Sequence, residues 1–266
     1  MTHQLGFIGA GNMAEAIARA AISAKIFPAS QMVACDPVEE RREVFASLGV
    51  TTTQQNADVI DRSQHVLLAV KPQTLPQVGD ELRAVDADRQ VVMSIMAGIA
   101  TEKIEQAIGR PSRLVRIMPN TPLMVGRGMS AIALGRHART GDDDLALRLF
   151  GAAGEAIQVQ EPLIDAITAV SGSGPAYLFY LAEAMELAAR ELGLGEHAGL
   201  LVRQTLLGSA ELLCKGDQTP EALRLKVTSP GGTTEAAIKH LDGNASTQVI
   251  VNAIKAAESR SRELGG

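Results

Sequence analysis

The chain has 266 residues, of which 46% are hydrophobic, 21% charged and only 3% aromatic, and its formal net charge is −5. These values are typical of a globular protein with an ample core, and the length favours two domains of ordinary size. The negative charge and the scarcity of aromatic side chains argue against a nucleic-acid partner, because a basic surface and a base-stacking platform are both lacking.

Cysteine, histidine and apolar patterning narrow the class of protein further. Cys35 and Cys214 lie far apart in apolar stretches, which predicts two buried thiols and a reducing compartment. The five histidines share no metal-ligand spacing, so we predict no metal site. No apolar run reaches the length of a membrane span, and "MTHQLGFIGAG" has neither the basic region nor the cleavage site of a secretory signal. We therefore expect a cytoplasmic protein with no membrane partner.

Strands and helices alternate in the first part of the chain. "LGFIGA" predicts a strand, and a helix follows over residues 12–25 with Met13, Ile17 and Ala21 on one face. A second strand, "QMVACD", precedes a helix in "VEERREVFASLG". Later strands are predicted at "HVLLAV", "QVVMSIM", "RLVRIM", "MSAIAL" and "AIQVQ", with a helix around 144–151 before the last. Strands separated by helices predict right-handed βαβ units and a largely parallel sheet.

The strand pattern stops after Glu161. Helices are predicted for the rest of the chain, at about 176–192, 197–215, 220–226, 233–241 and 244–263. The first of them carries an apolar stripe, which is typical of packing between helices, at Leu178, Leu181, Met185, Ala188 and Leu192. The predicted fold class is therefore α/β. A Rossmann-type dinucleotide-binding domain covers residues 1–161, and an all-α domain covers residues 162–266.

The stretch "GAGNMA" over residues 9–14 comes between the first strand and the first helix. It has the G-x-G-x-x-A form of the dinucleotide fingerprint. Gly9 permits a tight turn, Gly11 lets the main chain approach a pyrophosphate, and the helix N-terminus offers N–H groups to it. The strand before it, the helix after it and the further βα units agree, so the sequence predicts NAD(P) binding.

Asp36 ends the second strand, where a side chain can reach the adenosine ribose. An acidic residue there accepts from the ribose hydroxyls of NAD and repels the 2′-phosphate of NADP. Arg41 and Arg42 follow and could serve that phosphate instead. A further interpretation is that Asp36 only caps the helix after Pro37, and the sequence leaves these alternatives open.

Two further strand ends fall on the ligand edge of an open parallel sheet. "LLAVKPQ" places Ala69, Val70 and Lys71 at one of them, and Lys71 is expected to face the cofactor. "SIMAG", residues 94–98, ends the next strand with small residues where the nicotinamide half is expected. A surface lysine and an ordinary strand-ending glycine are the alternatives.

Two glycine-rich stretches interrupt the second half of the chain. "VSGSGPAY", residues 170–177, sets a proline at the start of a long helix, which alone indicates no more than a helix entry. "TSPGGTT", residues 228–234, gathers hydroxyls and main-chain N–H groups at another helix start. This arrangement predicts an anion site sized for a carboxylate. The first loop already houses the cofactor phosphates, so the second site is predicted to hold the substrate.

Five stretches together resemble the pyrroline-5-carboxylate reductase family, and the resemblance runs essentially end to end. They are "FIGAGNMAEAI", "AVKPQ", "RIMPNTPLMVGRG", "DAITAVSGSGPAY" and "VTSPGGTTEAAI". The resemblance implies hydride transfer from NAD(P)H to the ring C=N of 1-pyrroline-5-carboxylate, which yields proline. It also implies that the helical domain is a dimerisation domain. We expect an interleaved homodimer, with a larger ring of dimers left open.

The resemblance assigns roles to individual positions. It implies cofactor contacts at Gly9, Ala10, Gly11, Asn12, Met13, Asn56, Ala69, Lys71 and Ala97. It implies substrate-carboxylate contacts at Ser229, Gly231, Gly232 and Thr233. Thr234 matches the catalytic hydroxyl beside the ring nitrogen, and Glu161 matches a substrate-binding residue at the edge of that pocket. Many members carry a small hydroxyl or neutral residue at Asp36, so NADPH and NADH both stay open.

Two rival functions follow from the same fold pattern. A β-hydroxyacid dehydrogenase needs a base or proton relay, a lysine on the first long helix after the domain boundary, and "AYLFYLAEAMELAA" has none. A non-catalytic dinucleotide-binding regulatory protein would have no need of the hydroxyls and glycines at residues 229–234. Both features favour the reductase.

Overall fold

A computed structural model describes residues 2–265 of the chain. The structure comprises two compact units: one extends to Ser173 and also includes the residues from Ala257 onward, and the other is Gly174–Ala256. The bounds of the helices and strands named in the sequence analysis lie within about two residues of the observed ones. The sequence patterns predicted no bounds for one short strand and four short helices.

An eight-stranded sheet forms the centre of the first unit, in the order β3-β2-β1-β4-β5-β6-β7-β8. The strands are β1 His3–Ile8, β2 Met32–Cys35, β3 Thr51–Thr53, β4 Ser63–Leu68, β5 Val91–Ser94, β6 Leu114–Met118, β7 Gly128–Leu134 and β8 Gly154–Gln158. All neighbours pair in parallel except β6 and β7, which are antiparallel. The stretch between these two strands is too short to hold a crossover helix, so the chain turns back directly.

Helices cover both faces of the sheet. They are α1 Asn12–Ser23, α2 Glu39–Ser47, α3 Asn56–Arg62, α4 Leu75–Leu82, α5 Thr101–Ile108, α6 Asp144–Gly151 and α7 Ile164–Ile167. Leu5 and Phe7 of β1 belong to one buried cluster and Ile8 to another, as the alternation of side chains along a strand requires. On α1 the buried residues are Ala14, Ile17, Ala18 and Ala21. Met13, which the sequence placed with that face, is only partly buried.

The elements whose bounds the sequence did not predict are β3, α3, α4, α5 and α7. The strand β3 consists of three threonines at the edge of the sheet, and none of them is buried. A short polar edge strand lacks the apolar signal by which a strand is identified in sequence. The four helices have eight residues or fewer, so their periodicity spans at most about two turns.

The boundary between the two units differs from the expected division at 161/162. Ile164 is buried against Ala131 and Ala133 of β7. Asp165 accepts hydrogen bonds from Arg116 Nη2 at 3.0 Å and from Ser261 Oγ at 2.9 Å. Because of these contacts, residues 162–173 and the end of the last helix of the chain belong to the first unit.

The second unit consists of helices. They are α8 Gly174–Glu191, α9 Ala198–Lys215, α10 Pro220–Lys226, α11 Thr233–Gly243 and the first part of α12 Ser246–Gly265. The predicted stripe lies largely on the surface of the isolated chain, with Leu178 58%, Leu181 48% and Leu192 79% exposed. In the described part of the chain, no helix is long and apolar enough to cross a membrane.

The two cysteines differ in environment, which corrects the expectation that both are buried. Cys35 is buried, and burial, with help from neighbouring carboxylates, raises the pKa of its thiol to about 11. Cys214, on α9, is exposed in the single chain. The apolar residues around Cys214 indicated burial because the sequence does not distinguish a core face from an apolar surface.

Candidate dinucleotide and substrate sites

The glycine loop joins β1 to α1 and has the geometry of a pyrophosphate site. Gly9 has φ +97°, and a Cβ at this position would lie 2.7 Å from the main-chain O of Ala69, so only glycine fits. A Cβ on Gly11 would meet no atom within 4 Å, so open space lies beside the loop. No side chain caps α1 at Gly11. The N–H groups at the start of α1 therefore suit an anion, and the loop fits a dinucleotide.

A cavity of about 380 Å³ adjoins this loop at the carboxyl ends of β1, β4, β5 and β6. Six residues that the sequence predicted line it: Gly11, Asn12, Met13, Ala69, Val70 and Lys71. The cavity is also lined by residues that the sequence analysis did not single out: Ile95, Met118, Pro119, Asn120, Thr121 and Gly172. The "RIMPN" and "VSGSG" motifs were the available signals for most of these.

The main-chain N–H and C=O of Ala10, at the centre of the loop, are both held by charged side chains. Its N–H donates to Asp36 Oδ2 at 2.8 Å, and its C=O accepts from Arg41 Nε at 2.6 Å. Arg41 in turn donates to Glu15 Oε2 at 2.9 Å. Burial would raise the pKa of the Glu15 carboxyl, but hydrogen bonds and charges from Arg19 and Arg41 outweigh this and lower it. The loop conformation is thus supported by ion pairs of α1 and α2.

The other carboxylate oxygen of Asp36 accepts a hydrogen bond at the turn before the following helix. Oδ1 accepts from Val38 N–H at 3.0 Å, and Val38 is the N-cap residue of α2. Arg42 Nη1 donates to the main-chain O of Asp36 at 2.7 Å and to that of Pro37 at 2.9 Å. Asp36 therefore fixes the turn that leads into α2 but does not cap the helix, because Val38 is itself the N-cap residue and no side chain caps α2. Each carboxylate oxygen can still accept a further bond from a ribose hydroxyl.

Besides Gly9, Ala10 and Asp36, three further predicted residues of the first unit lie outside the lining of the cavity. Asn56 opens α3 and Ala97 follows β5, so both are at the carboxyl side of the sheet. The Glu161 carboxylate accepts from Thr101 N–H at 2.7 Å and from Thr101 Oγ1 at 2.6 Å, which ties it to the first residue of α5. It also lies 3.6 Å from Arg116 Nη1.

The loop before α11, in the second unit, contains the remaining predicted residues. Gly231 has φ +73°, and its N–H donates to Glu235 Oε2 at 2.9 Å. Gly232 N–H donates to Ser229 O at 3.0 Å, so both glycine N–H groups are bonded within the loop. The first helical bond runs from Ala236 N–H to Gly232 O. The N–H groups of Thr233 and Thr234 precede it, and they are the groups that point to an anion site here.

A Rossmann sheet with an open glycine loop and a cavity beyond its strand ends defines the class of dinucleotide-binding oxidoreductases. The family model described as NADP oxidoreductase coenzyme F420-dependent matches residues 4–98, and that of pyrroline-5-carboxylate reductase dimerisation matches 161–264. The pyrroline-5-carboxylate reductase of Haemophilus influenzae is 40% identical over 268 residues, covering 99% of this chain and 98% of the relative. The chain belongs to the pyrroline-5-carboxylate reductase family.

Solved structures agree with this assignment. A pyrroline-5-carboxylate reductase from Coxiella burnetii is 37% identical with a TM-score of 0.90, and the match covers 100% of both chains. The Plasmodium falciparum pyrroline carboxylate reductase with NADP bound is 28% identical with a TM-score of 0.87, and the match covers 99% of this chain and 98% of that one. The family's dimerisation domain therefore includes all of the second unit that the structure describes.

Proposed function

We propose that this chain reduces 1-pyrroline-5-carboxylate to L-proline with NADPH or NADH, the last step of proline biosynthesis. The observation that carries the proposal is the cavity of about 380 Å³ between the glycine loop and the strand ends. Residues predicted from two separate stretches of sequence, the glycine loop and the end of β4, line it. Family membership over the full length of the chain supports the choice of substrate.

The chain's own residues would act mainly by binding and orientation. The bound dinucleotide supplies the hydride. The N-terminus of α1 would hold its pyrophosphate, and the cavity beyond Ala69–Lys71 would take its nicotinamide half. The loop 229–234 would bind the substrate carboxylate, and Thr234 Oγ1 would orient the ring nitrogen by a hydrogen bond.

The reaction requires little further chemistry from the protein. The carbon of the C=N bond gains a hydride, and the nitrogen carries a proton that it takes from solvent, either during the transfer or before the imine binds. A protonated imine is already an electrophile, so positioning supplies most of the catalysis. No general acid is needed in this scheme.

The sequence of the long helix that opens the second unit argues against the rival enzyme class. The α8 sequence Gly174–Glu191 contains no lysine, and Leu178 stands four residues after Gly174. A β-hydroxyacid dehydrogenase would need a base or proton relay there. A non-catalytic dinucleotide-binding protein would not need the hydroxyls of residues 229–234.

The decisive experiment follows absorbance at about 340 nm with NADH or NADPH and 1-pyrroline-5-carboxylate. We expect turnover that depends on both cofactor and imine. A parallel assay with NAD(P)⁺ and a β-hydroxyacid tests the rival enzyme. Cofactor binding without turnover of either substrate would favour the regulatory protein, and turnover of the hydroxyacid alone would favour the dehydrogenase.

We also propose a homodimer for the active form, with a ring of dimers as the larger alternative, and a cytoplasmic location. The exposed apolar residues of α8 support the dimer. A reducing compartment is supported by Cys35, whose thiol is buried and forms no disulfide within the described chain. Sedimentation and fractionation of the native host cell test these two points.

A further inference from the structure

Asn120, which the proposed mechanism does not use, joins three segments at one end of the cofactor cavity. It follows β6 and Pro119 and itself lines the cavity. Its Oδ1 accepts from Met129 N–H, at the start of β7, at 2.9 Å. Its Nδ2 donates to the main-chain O and to Oγ of Ser171, both at 3.2 Å. The side-chain amide therefore bonds through both of its polar atoms.

These bonds replace the ordinary role of an asparagine in this position. Asn120 is the N-cap residue of the 3₁₀ helix Thr121–Val125, where its side chain would normally accept from a helix N–H group. No side chain caps this helix. The amide is directed across the fold instead, to residues that lie 9 and 51 positions away.

Ser171 belongs to an unusual element that also adjoins the cavity. The residues Thr168–Gly172 form a π-helix, with Ser173 N–H bonded to Thr168 O at 2.8 Å. Such turns are rare and occur frequently at functional sites. Gly172 lines the cavity, and a Cβ there would lie 2.5 Å from Met118 Cε. The side chain of Met118 thus rests against Gly172, and the amide of Asn120 holds the two segments together.

The strand order indicates which half of the cofactor this end of the cavity receives. Asp36 follows β2, on one side of β1, whereas Ile95 and Met118 lie at the ends of β5 and β6 on the other side. A dinucleotide whose pyrophosphate lies at the β1 loop extends both ways from it. With its adenosine half towards Asp36, its nicotinamide half lies towards β5 and β6.

We propose that Asn120 is a positioning residue that sets the nicotinamide end of the cavity. This inference rests on the proposed function. Asn120 touches no reacting atom in this scheme. It fixes the distance between Met118–Thr121 and the π-helix, and so the place where the nicotinamide ring and the imine meet. The glycine loop, which would hold the pyrophosphate, has its own support from Asp36 and Arg41.

The test uses the full chain with Asn120→Asp. An aspartate keeps the acceptor for Met129 N–H but places an oxygen against the Ser171 carbonyl oxygen. We expect kcat to fall about 10- to 100-fold while the Kd for NADH changes less than about threefold. The fluorescence emission of bound NADH should change as well, because it reports the surroundings of the nicotinamide ring. Ser171→Ala, which removes only one of two acceptors, should lower kcat by a smaller factor, about two- to threefold.

Several outcomes would overturn the inference. One such outcome is a folded Asn120→Asp variant in which both kcat and NADH emission are unchanged. A loss of melting temperature and of NADH affinity, with turnover per folded molecule intact, would show a merely structural residue. Should Asn120→Asp not fold, Asn120→Ala is measured with the same expectations. If Asn120→Ala does not fold either, the kcat of Ser171→Ala decides. A small loss of kcat supports the proposal, and an unchanged kcat contradicts it.

The NADH titration separates this inference from the proposed function. If the wild-type chain binds NADH but does not reduce 1-pyrroline-5-carboxylate, the proposed function is wrong. The emission of bound NADH then decides on Asn120. Changed emission at unchanged Kd supports the positioning role, and identical emission contradicts it.

Discussion

Single residues of the site have more than one task, and Asp36 is the clearest case. From sequence, its carboxylate was interpreted either as a ribose ligand or as a helix cap. In the structure it bonds to Val38 N–H, at the start of α2, and to Ala10 N–H in the glycine loop. Both oxygens retain room for another donor. Support of the turn before α2 and a cofactor contact are therefore compatible at this position.

We expect NADH to be a usable cofactor, because a carboxylate at this position repels a 2′-phosphate. Asp36→Ser should raise the ratio of kcat/KM for NADPH to that for NADH by about tenfold or more, since one removed charge contact is of the order of 1.4 kcal/mol. The control is Asp36→Asn, which keeps an oxygen for Ala10 N–H while removing the charge. If the ratio stays constant in both variants, Asp36 supports the loop alone and other residues determine cofactor choice.

Thr234 is the residue on which the mechanism depends most directly. If its hydroxyl orients the imine, Thr234→Ala should lower kcat/KM by one hydrogen bond, about 1–3 kcal/mol or ten- to a hundredfold, with NADH affinity nearly unchanged. Steady-state kinetics and a fluorescence titration measure the two quantities. Thr228→Ala is the matched control, because the Thr228 hydroxyl donates to Arg224 O within the preceding helix. Equal kinetics for the two variants would remove Thr234 from the mechanism.

Elements of the sheet are joined by polar contacts between residues distant in sequence. Arg113, just before β6, forms an ion pair with the buried Asp142 that precedes α6. Arg113 Nε lies 3.0 Å from Asp142 Oδ2, and Arg139 N–H donates to the same oxygen at 2.7 Å. Burial would raise the pKa of the Asp142 carboxyl, but these hydrogen bonds and the arginine charges outweigh burial and lower it. The pair holds the loop before α6 against the amino end of β6.

The lowered pKa of Asp142 predicts the pH range in which this pair stabilises the fold. A carboxyl with a lower pKa in the folded state contributes stability above its unfolded pKa of about 4, and loses it as the pH falls through the folded value. Asp142→Asn should lower the free energy of unfolding near neutral pH by about 1–3 kcal/mol, because the buried carboxylate loses its charge-assisted hydrogen bonds to a guanidinium that is itself partly exposed.

Urea denaturation at fixed protein concentration measures this effect. The difference between wild type and Asp142→Asn should shrink below about pH 4, where the wild-type carboxyl becomes protonated as well. Asp144→Asn, at an exposed position two residues later, should change little at any pH. A difference between wild type and Asp142→Asn that does not vary with pH would contradict an electrostatic origin.

For the whole molecule, the main feature is the apolar surface of the second unit. Buried apolar residues in this unit are few, with Ala189, Ala198 and Val202 as the examples in the described residues. Large exposed apolar patches of this kind mark interfaces rather than free surface. The family model for dimerisation covers the same residues. Much of the unit's core is therefore expected to form between two copies of the chain.

A coupled interface of this kind predicts a melting temperature that rises with protein concentration. Leu181 is 48% exposed in the single chain, so Leu181→Asp would cost little if the chain stayed monomeric. In a dimer whose interface includes α8, the same change should yield insoluble or inactive protein. Glu43→Lys, on an exposed position of α2, is the charge control. A stable and active monomer in sedimentation at micromolar concentration would contradict the dimer.

The sequence by itself determined the class of fold, the glycine loop and the family. These depend on local patterns: apolar periodicity identified strands and helices, and the G-x-G-x-x-A spacing between a strand and a helix identified the glycine loop. The separate helical unit was also predicted, because the strand pattern stops part-way along the chain. Each of these signals lies within about twenty consecutive residues, so no tertiary information was needed.

The tertiary structure alone decided which side chains complete the site. Ala10 and Asp36 are 26 residues apart, and Asn120 and Ser171 are 51 apart, so no spacing rule links them. The same holds for the inclusion of residues 162–173 in the first unit, which depends on Ile164 packing against β7. Hydrogen bonds and close packing act over a few ångströms in space. They become visible only when folding brings distant stretches of the chain together.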